Sequence, residues 1–222
     1  MGKISISVMC IDYRQIRYQI EKLNSFTDYF HFDIMDGHYV PNFTLNFDMI
    51  DSLGKIIKKP IDVHLMVSNP EIFLPRLYSL SINSISFHLN TIENQAFRII
   101  RQVKGNNIKV GIVLNPIEKV EILEYLFNII DKVVIMTVDP GFAGQKFIPE
   151  MVEKIKKLKK IKDDFNYHFE IEVDGHVNKN TISSLIDAGA DVFILGKSGL
   201  FSLDNDIEEA IKKAKRYIPF LN

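Results

Sequence analysis

The amino-acid sequence predicts a single (β/α)8 barrel, and three observations support this prediction. Short runs of β-branched and aromatic residues recur roughly every 25 to 30 positions, each followed by a segment with helical spacing, and this unit occurs eight times. The 222 residues, of which 46% are hydrophobic, are enough to bury one sizeable core. Every chemically notable motif follows a strand, at the end where such barrels carry their active sites. We therefore expect one α/β domain of the TIM-barrel type over residues 1–222.

The predicted strands are short apolar runs with alternating or continuous hydrophobicity, which is typical of sheets covered by helices. They are expected at residues 4–9, 29–34, 61–66, 84–88, 108–114, 132–138, 168–173 and 192–195. Apolar residues at three- and four-residue spacing predict the helices, at residues 12–24, 48–57, 70–79, 93–104, 118–127, 149–162, 179–188 and 206–217. In the sixth helix Pro149 suits a first turn, and an apolar stripe of Val152, Ile155, Leu158 and Ile161 is expected to cover the sheet.

The charge balance excludes several classes of partner. The chain carries 27 basic and 28 acidic residues, a formal net charge of −1, so no global field favours nucleic acid or an anionic membrane. The lysines from Lys154 to Lys162 surround an apolar stripe and indicate a solvated helix face. The lone Cys10 excludes an internal disulfide, and the sequence starts with a strand-like run rather than a signal peptide. Since no apolar run approaches the ~18 residues of a membrane span, a soluble, cytoplasmic protein is expected.

Two histidines and two aspartates stand at the ends of predicted strands two, three and seven. Because alternate strand residues share a face, His31 and Asp33 can converge with His64 and Asp174 from separate strands. Either histidine alone could be an ordinary core residue, but the combination favours a metal site. This mixture of nitrogen and oxygen ligands suits Zn, Fe, Mn or Co better than Mg or Ca. Asp36, just beyond the second strand, is interpreted as a loop cap rather than a fifth ligand.

Three glycine-containing loops follow strands six, seven and eight, where barrels commonly bind phosphate. Their glycines let backbone N–H groups approach an anion closely, although a plain turn is the alternative for each loop alone. The loop residues expected to contact a phosphorylated substrate are Gly141, Phe142, Ala143, Gly144, Gly175, His176, Gly196, Lys197 and Ser198. Lys197 either adds a charge to this site or is simply solvated. Four methionines near strand ends either cover the metal as an apolar lid or fill the core: Met9, Met35, Met66 and Met136.

A divalent metal, two carboxylates and a phosphate site together indicate a phosphorylated sugar whose carbonyl lies next to the metal. The metal would stabilise the enediolate that forms when the adjacent carbon loses its proton. If Asp33 and Asp174 stand on opposite sides of this planar enediolate, one removes the proton and the other returns it to the opposite face. The expected reaction is epimerisation.

Five motifs carry a family resemblance. They are His-x-Asp-x-Met-Asp-Gly-His from His31, Asp-Val-His-Leu-Met-Val from Asp62, the Asn115-Pro116 turn, Pro-Gly-Phe-x-Gly-Gln from Pro140 and Val-Asp-Gly from Val173. The chain resembles ribulose-phosphate 3-epimerases essentially from end to end, which implies a TIM barrel of the ribulose-phosphate-binding type and a homo-oligomer. The resemblance implies one divalent metal ion per subunit, held by His31, Asp33, His64 and Asp174, with Asp33 and Asp174 as the acid/base pair. It further implies that Ser7, His64 and Asp174 contact the substrate.

Within that family, several segments look closer to the D-allulose-6-phosphate 3-epimerase branch. These segments are Ser7–Asp12, Asn94–Arg98, Met136–Gln145, Phe147–Met151 and Ser198–Phe201. The expected reaction is therefore the interconversion of D-allulose 6-phosphate and D-fructose 6-phosphate, with conversion of D-ribulose 5-phosphate to D-xylulose 5-phosphate as the alternative. Four residues depart from the family pattern: Ile6, Asn90, His176 and Lys197. A decarboxylase is disfavoured because Met35 stands at the position of its lysine, and a non-catalytic sugar-phosphate sensor is a remote alternative.

Overall fold

The computed structural model describes residues 2–44 and 46–221. Within these ranges eight parallel strands form a closed barrel, in which each strand pairs with the next and the last pairs with the first. The strands are β1 Lys3–Ser7, β2 Tyr29–Met35, β3 Ile61–Met66, β4 Ser84–His88, β5 Lys109–Leu114, β6 Lys132–Met136, β7 Glu170–Asp174 and β8 Val192–Leu195. The predicted (β/α)8 barrel is confirmed.

Helices connect the strands and cover the barrel. In the part of the chain that the structure describes, the α-helices are α1 Ile16–Leu23, α2 Phe47–Gly54, α3 Leu74–Leu77, α4 Leu89–Ile92, α5 Ala96–Gly105, α6 Met151–Asp164, α7 Ile182–Asp187 and α8 Ile207–Lys215. Short 3-10 turns divide the predicted helices over 12–24, 70–79 and 93–104, at Tyr13–Gln15, Pro70–Phe73 and Glu93–Gln95. Among the described helices, none combines the length and the apolar character that crossing a membrane requires.

The α-helix predicted over residues 118–127 is absent from the described structure, and that prediction is wrong. The segment forms a short 3-10 helix, Val120–Leu123, followed by turns. Its buried residues Val120, Leu123 and Leu126 are spaced by three, which aligns them on one face of a helix with three residues per turn. Apolar residues spaced by three fit both an α-helix and a 3-10 helix, and this segment adopts the 3-10 helix.

Helix α6 confirms the predicted apolar stripe. Ile155 and Leu158 are fully buried, and Val152 and Ile161 are partly buried against the same core. A stripe of this width is enough to hold an amphipathic helix on a sheet. The predicted solvated face is correct for Lys156, Lys157 and Lys160 but wrong for Lys154 and Lys162, which are part-buried: Lys154 Nζ donates to the Asn115 carbonyl and Lys162 pairs with Asp191.

The two faces of the barrel wall differ in polarity. Outward side chains such as Ile4, Phe32 and Leu65 pack in one continuous apolar core. Side chains of the alternate parity point into the barrel. On β1 to β4 most of the buried ones are polar, with Met35 and Met66 as the apolar exceptions: Ser5, Ser7, His31, Asp33, Asp62, His64, Ser84, Ser86 and His88. The barrel interior, rather than its wall, is therefore where charged groups collect.

Strand register brings these polar side chains into layers. Asp33 is paired with His64 and His31 with Asp62 across β2 and β3. On the far side of the barrel, Asp174 ends β7 beside Met136 of β6. Because these residues are at or near the carboxyl ends of parallel strands, the layer that contains Asp33 opens towards the βα loops.

Candidate active site

Four side chains meet at the carboxyl end of the barrel, as the sequence predicted: His31, Asp33, His64 and Asp174. One ligand atom from each lies within 4.8 Å of those of the others. Asp33 Oδ1 is 3.2 Å from His31 Nε2 and 3.3 Å from His64 Nδ1. Asp174 Oδ2 is 3.6 Å from the same His64 nitrogen. The cluster therefore offers two nitrogen and two oxygen ligands around one point.

The hydrogen bonding of the two histidines fits a bound metal ion. His31 Nε2 and His64 Nδ1 are buried and have no hydrogen-bond partner among residues 2–44 and 46–221. The other nitrogen of each ring is engaged: His31 Nδ1 lies 2.8 Å from Asp62 Oδ2, and His64 Nε2 lies 2.9 Å from His88 Nε2. Buried polar atoms rarely lack partners, and ligand histidines are commonly held through their second nitrogen. The cluster could therefore hold a metal ion, and its donor set suits Zn, Fe, Mn or Co.

The electrostatics favour charge on His31, Asp33 and His64 but not on the neighbouring His88. Burial opposes ionisation of Asp33, but His31 and His64 outweigh it and hold the pKa of that carboxyl below its usual range. Burial likewise opposes protonation of His31, but Asp33 and Asp62 hold the pKa of its imidazole well above 6.5. Burial and the neighbouring His64 lower the pKa of His88 well below that value, so His88 is neutral. A metal cation bound between His31, Asp33 and His64 would supply the positive charge that protonated histidines otherwise supply beside the Asp33 carboxylate.

A second charged group lies beneath His31. Lys132 Nζ is 2.7 Å from Asp62 Oδ1 and 3.1 Å from Glu172 Oε2, and all three side chains are buried. Gly111 leaves room for the lysine, because a Cβ there would lie 3.1 Å from Lys132 Cε. Burial raises the pKa of Glu172 to about 7, opposed by Lys132 and aided by Asp62. Although His31, Asp62 and Glu172 could also offer three metal ligands, the ammonium of Lys132 already neutralises this group.

A cavity opens above the four-residue cluster, and its wall contains nearly all the residues expected to contact substrate. These are Ser7, Gly141, Phe142, Ala143, Gly144, Asp174, Gly175, His176, Gly196, Lys197 and Ser198. Asp33 also lines the cavity, whereas His64 is fully buried and lies outside its wall. The three glycine-containing loops and the carboxylates of the cluster thus face the same space.

The loops after β6, β7 and β8 are brought together by glycine backbones. Gly175 has a φ of 121°, and a Cβ on it would lie 2.7 Å from Val138 Cγ2, so a side chain is excluded there. A Cβ on Gly144 would be 3.5 Å from Lys197 Cδ, which shows that the stem of this lysine lies over the β6 loop. His176 adopts a left-handed φ of 52°, and its Nδ1 is buried without a hydrogen-bond partner in the described residues. The three loops form one continuous side of the cavity.

Comparison with known proteins identifies the family. The model of the ribulose-phosphate 3-epimerase family matches residues 3–201. This chain belongs to the ribulose-phosphate 3-epimerase family. The ribulose-phosphate 3-epimerase of Methanocaldococcus jannaschii is 37% identical over 216 residues, covering 97% of this chain and 90% of that protein. The one from Aquifex aeolicus is 36% identical over 218 residues, covering 97% and 96%.

Solved structures of more distant proteins share the barrel. The tryptophan synthase α-subunit of Pyrococcus furiosus aligns with a TM-score of 0.70 and 15% identity, covering 100% of this chain and 99% of that chain. Orotidine 5′-monophosphate decarboxylase from M. jannaschii aligns with a TM-score of 0.66 and 16% identity, covering 99% of each chain. Identities this low show the fold alone. The function follows instead from the family: the chain is an isomerase, an epimerase of phosphorylated ketoses, and its His/Asp cluster could hold a metal ion. None of these comparisons supports the expected D-allulose-6-phosphate branch.

Three further sequence interpretations concern the surroundings of the site in this epimerase. Asp36 is a loop cap, because its Oδ1 accepts from the backbone N–H groups of His38 and Tyr39 and its Oδ2 from that of Ser68, each at 2.8 Å. The four methionines all line the cavity: Met9, Met35, Met66 and Met136. Cys10 is a free thiol in the same wall, and burial raises its pKa to about 11.

Sequence reasoning missed the residues behind the cluster. The sequence did not indicate that Lys132 lies inside the barrel, since lysine is rarely buried. His88 has the same strand parity as Ser84 and Ser86, which would have placed it inside the barrel, but its contact with His64 depends on the pairing of β3 with β4.

Proposed function

We propose that this epimerase interconverts D-ribulose 5-phosphate and D-xylulose 5-phosphate by proton transfer at C3, with Asp33 and Asp174 as the two bases. One observation carries the proposal: the two carboxylates come from strands that are not neighbours, β2 and β7, and both line one cavity beside His31 Nε2 and His64 Nδ1, which have no partner within the described ranges. A planar substrate between them would present one face to each carboxylate.

The contacts of Asp33 suit a base that takes a proton with one oxygen. Its Oδ1 faces the two histidines, whereas its Oδ2 accepts a hydrogen bond of 3.0 Å from Ser7 Oγ. The depressed pKa of Asp33 keeps its carboxylate ionised, which is the form that a base requires. Ser7 also lines the cavity, so it can shift its hydrogen bond to the substrate when Asp33 becomes protonated.

Asp174 is the more accessible of the two carboxylates. Its side chain is 18% exposed, against 4% for Asp33. The backbone carbonyl of Asp174 accepts from Thr137 N at 2.7 Å and from Thr137 Oγ1 at 3.0 Å, which fixes the end of β7. The fixed main chain keeps the carboxylate directed at the cavity while its Oδ2 stays near His64.

His31, Asp33, His64 and Asp174 would together hold one divalent ion, Zn, Fe, Co or Mn. When bound, such an ion stabilises the negative charge that develops on the substrate oxygens as the C3 proton leaves. The remaining work belongs to the protein: Asp33 and Asp174 move the proton, and the apolar methionines keep water from the reacting carbon.

The phosphate group of the substrate is assigned to the loops after β6, β7 and β8. Gly144, Gly175 and Ser198 line this side of the cavity, where their backbone N–H groups can donate to the phosphate, and Lys197 and His176 can add donors. Because these loops are separate from the metal cluster, a phosphate bound to them can hold the sugar while C3 lies between the carboxylates of Asp33 and Asp174.

The comparisons support the pentose phosphate more than the hexulose phosphate, because the similar proteins are named ribulose-phosphate 3-epimerases. The test is kcat/KM of the metal-loaded enzyme for D-ribulose 5-phosphate and D-allulose 6-phosphate, since this ratio measures differential binding of the two transition states. We expect a preference for the five-carbon sugar. A strong preference for the six-carbon sugar would contradict the proposal and favour the allulose branch.

Asparagine variants test the two bases. Asp33→Asn and Asp174→Asn are each expected to abolish turnover, because an amide neither accepts nor returns a proton at a useful rate. Circular dichroism and unfolding curves serve as the control for folding. Substantial epimerisation by either folded variant would overturn the two-base assignment.

A further inference from the structure

We propose that His88 is a positioning residue that selects the metal-binding tautomer of His64. The proposal rests on the proposed metal site and goes beyond it, because His88 is itself not a ligand. It is fully buried and lies outside the wall of the substrate cavity, so it acts only through His64.

The geometry sets the direction of the hydrogen bond between the two rings. His64 directs Nδ1 at Asp33 Oδ1 and Asp174 Oδ2, and its Nε2 lies 2.9 Å from His88 Nε2. A nitrogen that binds a metal does so with its lone pair, so a neutral His64 carries its proton on Nε2. His64 Nε2–H then donates, and His88 Nε2 must accept.

An accepting Nε2 places the proton of His88 on its Nδ1. On that side its polar neighbour is the Asn115 side chain. The Asn115 amide is oriented by Tyr39, because its Nδ2 donates to Tyr39 Oη at 2.9 Å and its Oδ1 is left to accept. Tyr39 Oη in turn donates to Asn90 Oδ1 at 3.1 Å. In the described residues His88 Nδ1 and Asn115 Oδ1 are both buried without a hydrogen-bond partner, so the amide oxygen is free to accept from Nδ1–H in the proposed tautomer. Asn90, a departure from the family pattern, ends the Tyr39 branch.

The environment holds His88 in this role. Its ring lies edge to edge with that of His64, with centroids 5.0 Å apart and 27° between the planes, and it packs against Tyr39 at 4.6 Å. Asn115 is fixed through its main chain, since its carbonyl accepts from Lys154 Nζ at 2.6 Å and its N–H donates to Glu118 Oε2 at 2.6 Å. A rigid acceptor opposite His64 Nε2 keeps the proton away from Nδ1, where it would compete with the metal.

Two substitutions separate hydrogen bonding from packing. His88→Gln keeps an acceptor, its side-chain carbonyl, within reach of His64, whereas His88→Leu fills similar space without one. Ser86→Ala is the matched control, because Ser86 lies on the same face of β4 and its Oγ has no hydrogen-bond partner in the described structure. The readout is the dissociation constant for Co²⁺, measured by competition with a chelator, together with the visible spectrum of the bound ion.

We expect His88→Leu to weaken Co²⁺ binding by about 10- to 100-fold, the usual effect of losing the partner of a ligand histidine. His88→Gln and Ser86→Ala should bind Co²⁺ nearly as tightly as the parent. Equal affinity of His88→Leu and the parent would overturn the positioning role, and so would a His88→Gln as weak as His88→Leu. A parent protein that fails to bind Co²⁺ would instead overturn the metal site itself.

Nitrogen-15 NMR of the histidines in the unmodified, Zn²⁺-loaded protein gives a test that needs no variant. The expected spectrum has His64 protonated on Nε2 and His88 protonated on Nδ1. A His88 protonated on Nε2 would overturn the proposal.

Discussion

Replacing Lys132 by methionine should destabilise the barrel strongly, because the lysine is the positive partner of two buried carboxylates. Its Nζ lies 2.7 Å from Asp62 Oδ1 and 3.1 Å from Glu172 Oε2, and its side chain is 7% exposed. Methionine fills similar volume but removes the ammonium, so that Glu172 loses its hydrogen bond and Asp62 keeps only His31 and Ser84 as partners. Removing one partner of a buried ion pair costs about 3–5 kcal/mol, and we expect a loss of this size at pH 8. At pH 5 the loss should be smaller, because Glu172, whose pKa burial raises to about 7, then carries a proton.

The assay is urea unfolding followed by circular dichroism at both pH values, and Lys160→Met is the matched control. Lys160 Nζ lies 2.5 Å from Asp164 Oδ2, but the lysine side chain is 75% exposed. An exposed pair of this spacing contributes only about 0.3–0.5 kcal/mol. If Lys132→Met lost no more stability than Lys160→Met, the view of the barrel interior as a paired ionic layer would be refuted.

Three further predictions concern Glu172, Gly175 and the metal. The folded protein holds the Glu172 proton up to about pH 7 while the unfolded chain releases it near 4.5, so the free energy of unfolding should fall as pH rises between these values. At about 1.4 kcal/mol per pKa unit, Glu172 accounts for a decrease in the free energy of unfolding on the order of 3 kcal/mol. Glu172→Gln should abolish this decrease, and a variant whose free energy of unfolding falls with pH as steeply as that of the parent would contradict the prediction. Gly175→Ala should raise KM for the phosphorylated substrate, since its φ of 121° and the nearby Val138 exclude a side chain; an unchanged KM would argue against a phosphate role for this loop. Treatment with a chelator should abolish activity and Zn, Fe, Co or Mn should restore it, whereas full activity of metal-free protein would rule out a metal role.

Much of the fold and the cluster could be predicted because both depend on local patterns. Strand alternation places His31 and Asp33 on one face, and the barrel topology brings them to His64 and Asp174. The apolar spacing of Val120, Leu123 and Leu126 fits both an α-helix and a 3-10 helix, so the predicted helix over 118–127 was wrong.

The groups behind the site could not be predicted, because they depend on long-range contacts. Lys132 is buried only because Asp62 and Glu172 come from other strands and Gly111 leaves space. The contact between His64 and His88 likewise requires the β3–β4 register and the orientation of both rings. Neither can be read from residue type or spacing alone.

The transfer of the C3 proton between two separate carboxylates is tested most directly by running the reaction in D2O. With D-ribulose 5-phosphate as substrate, NMR at early times should show deuterium at C3 of the product, while the remaining substrate keeps its protium. This pattern is expected because Asp33 takes a proton from one face and Asp174 delivers a solvent-derived one to the other, or the reverse. A product that retains the protium of the substrate would require a single base acting on both faces, and would contradict the account.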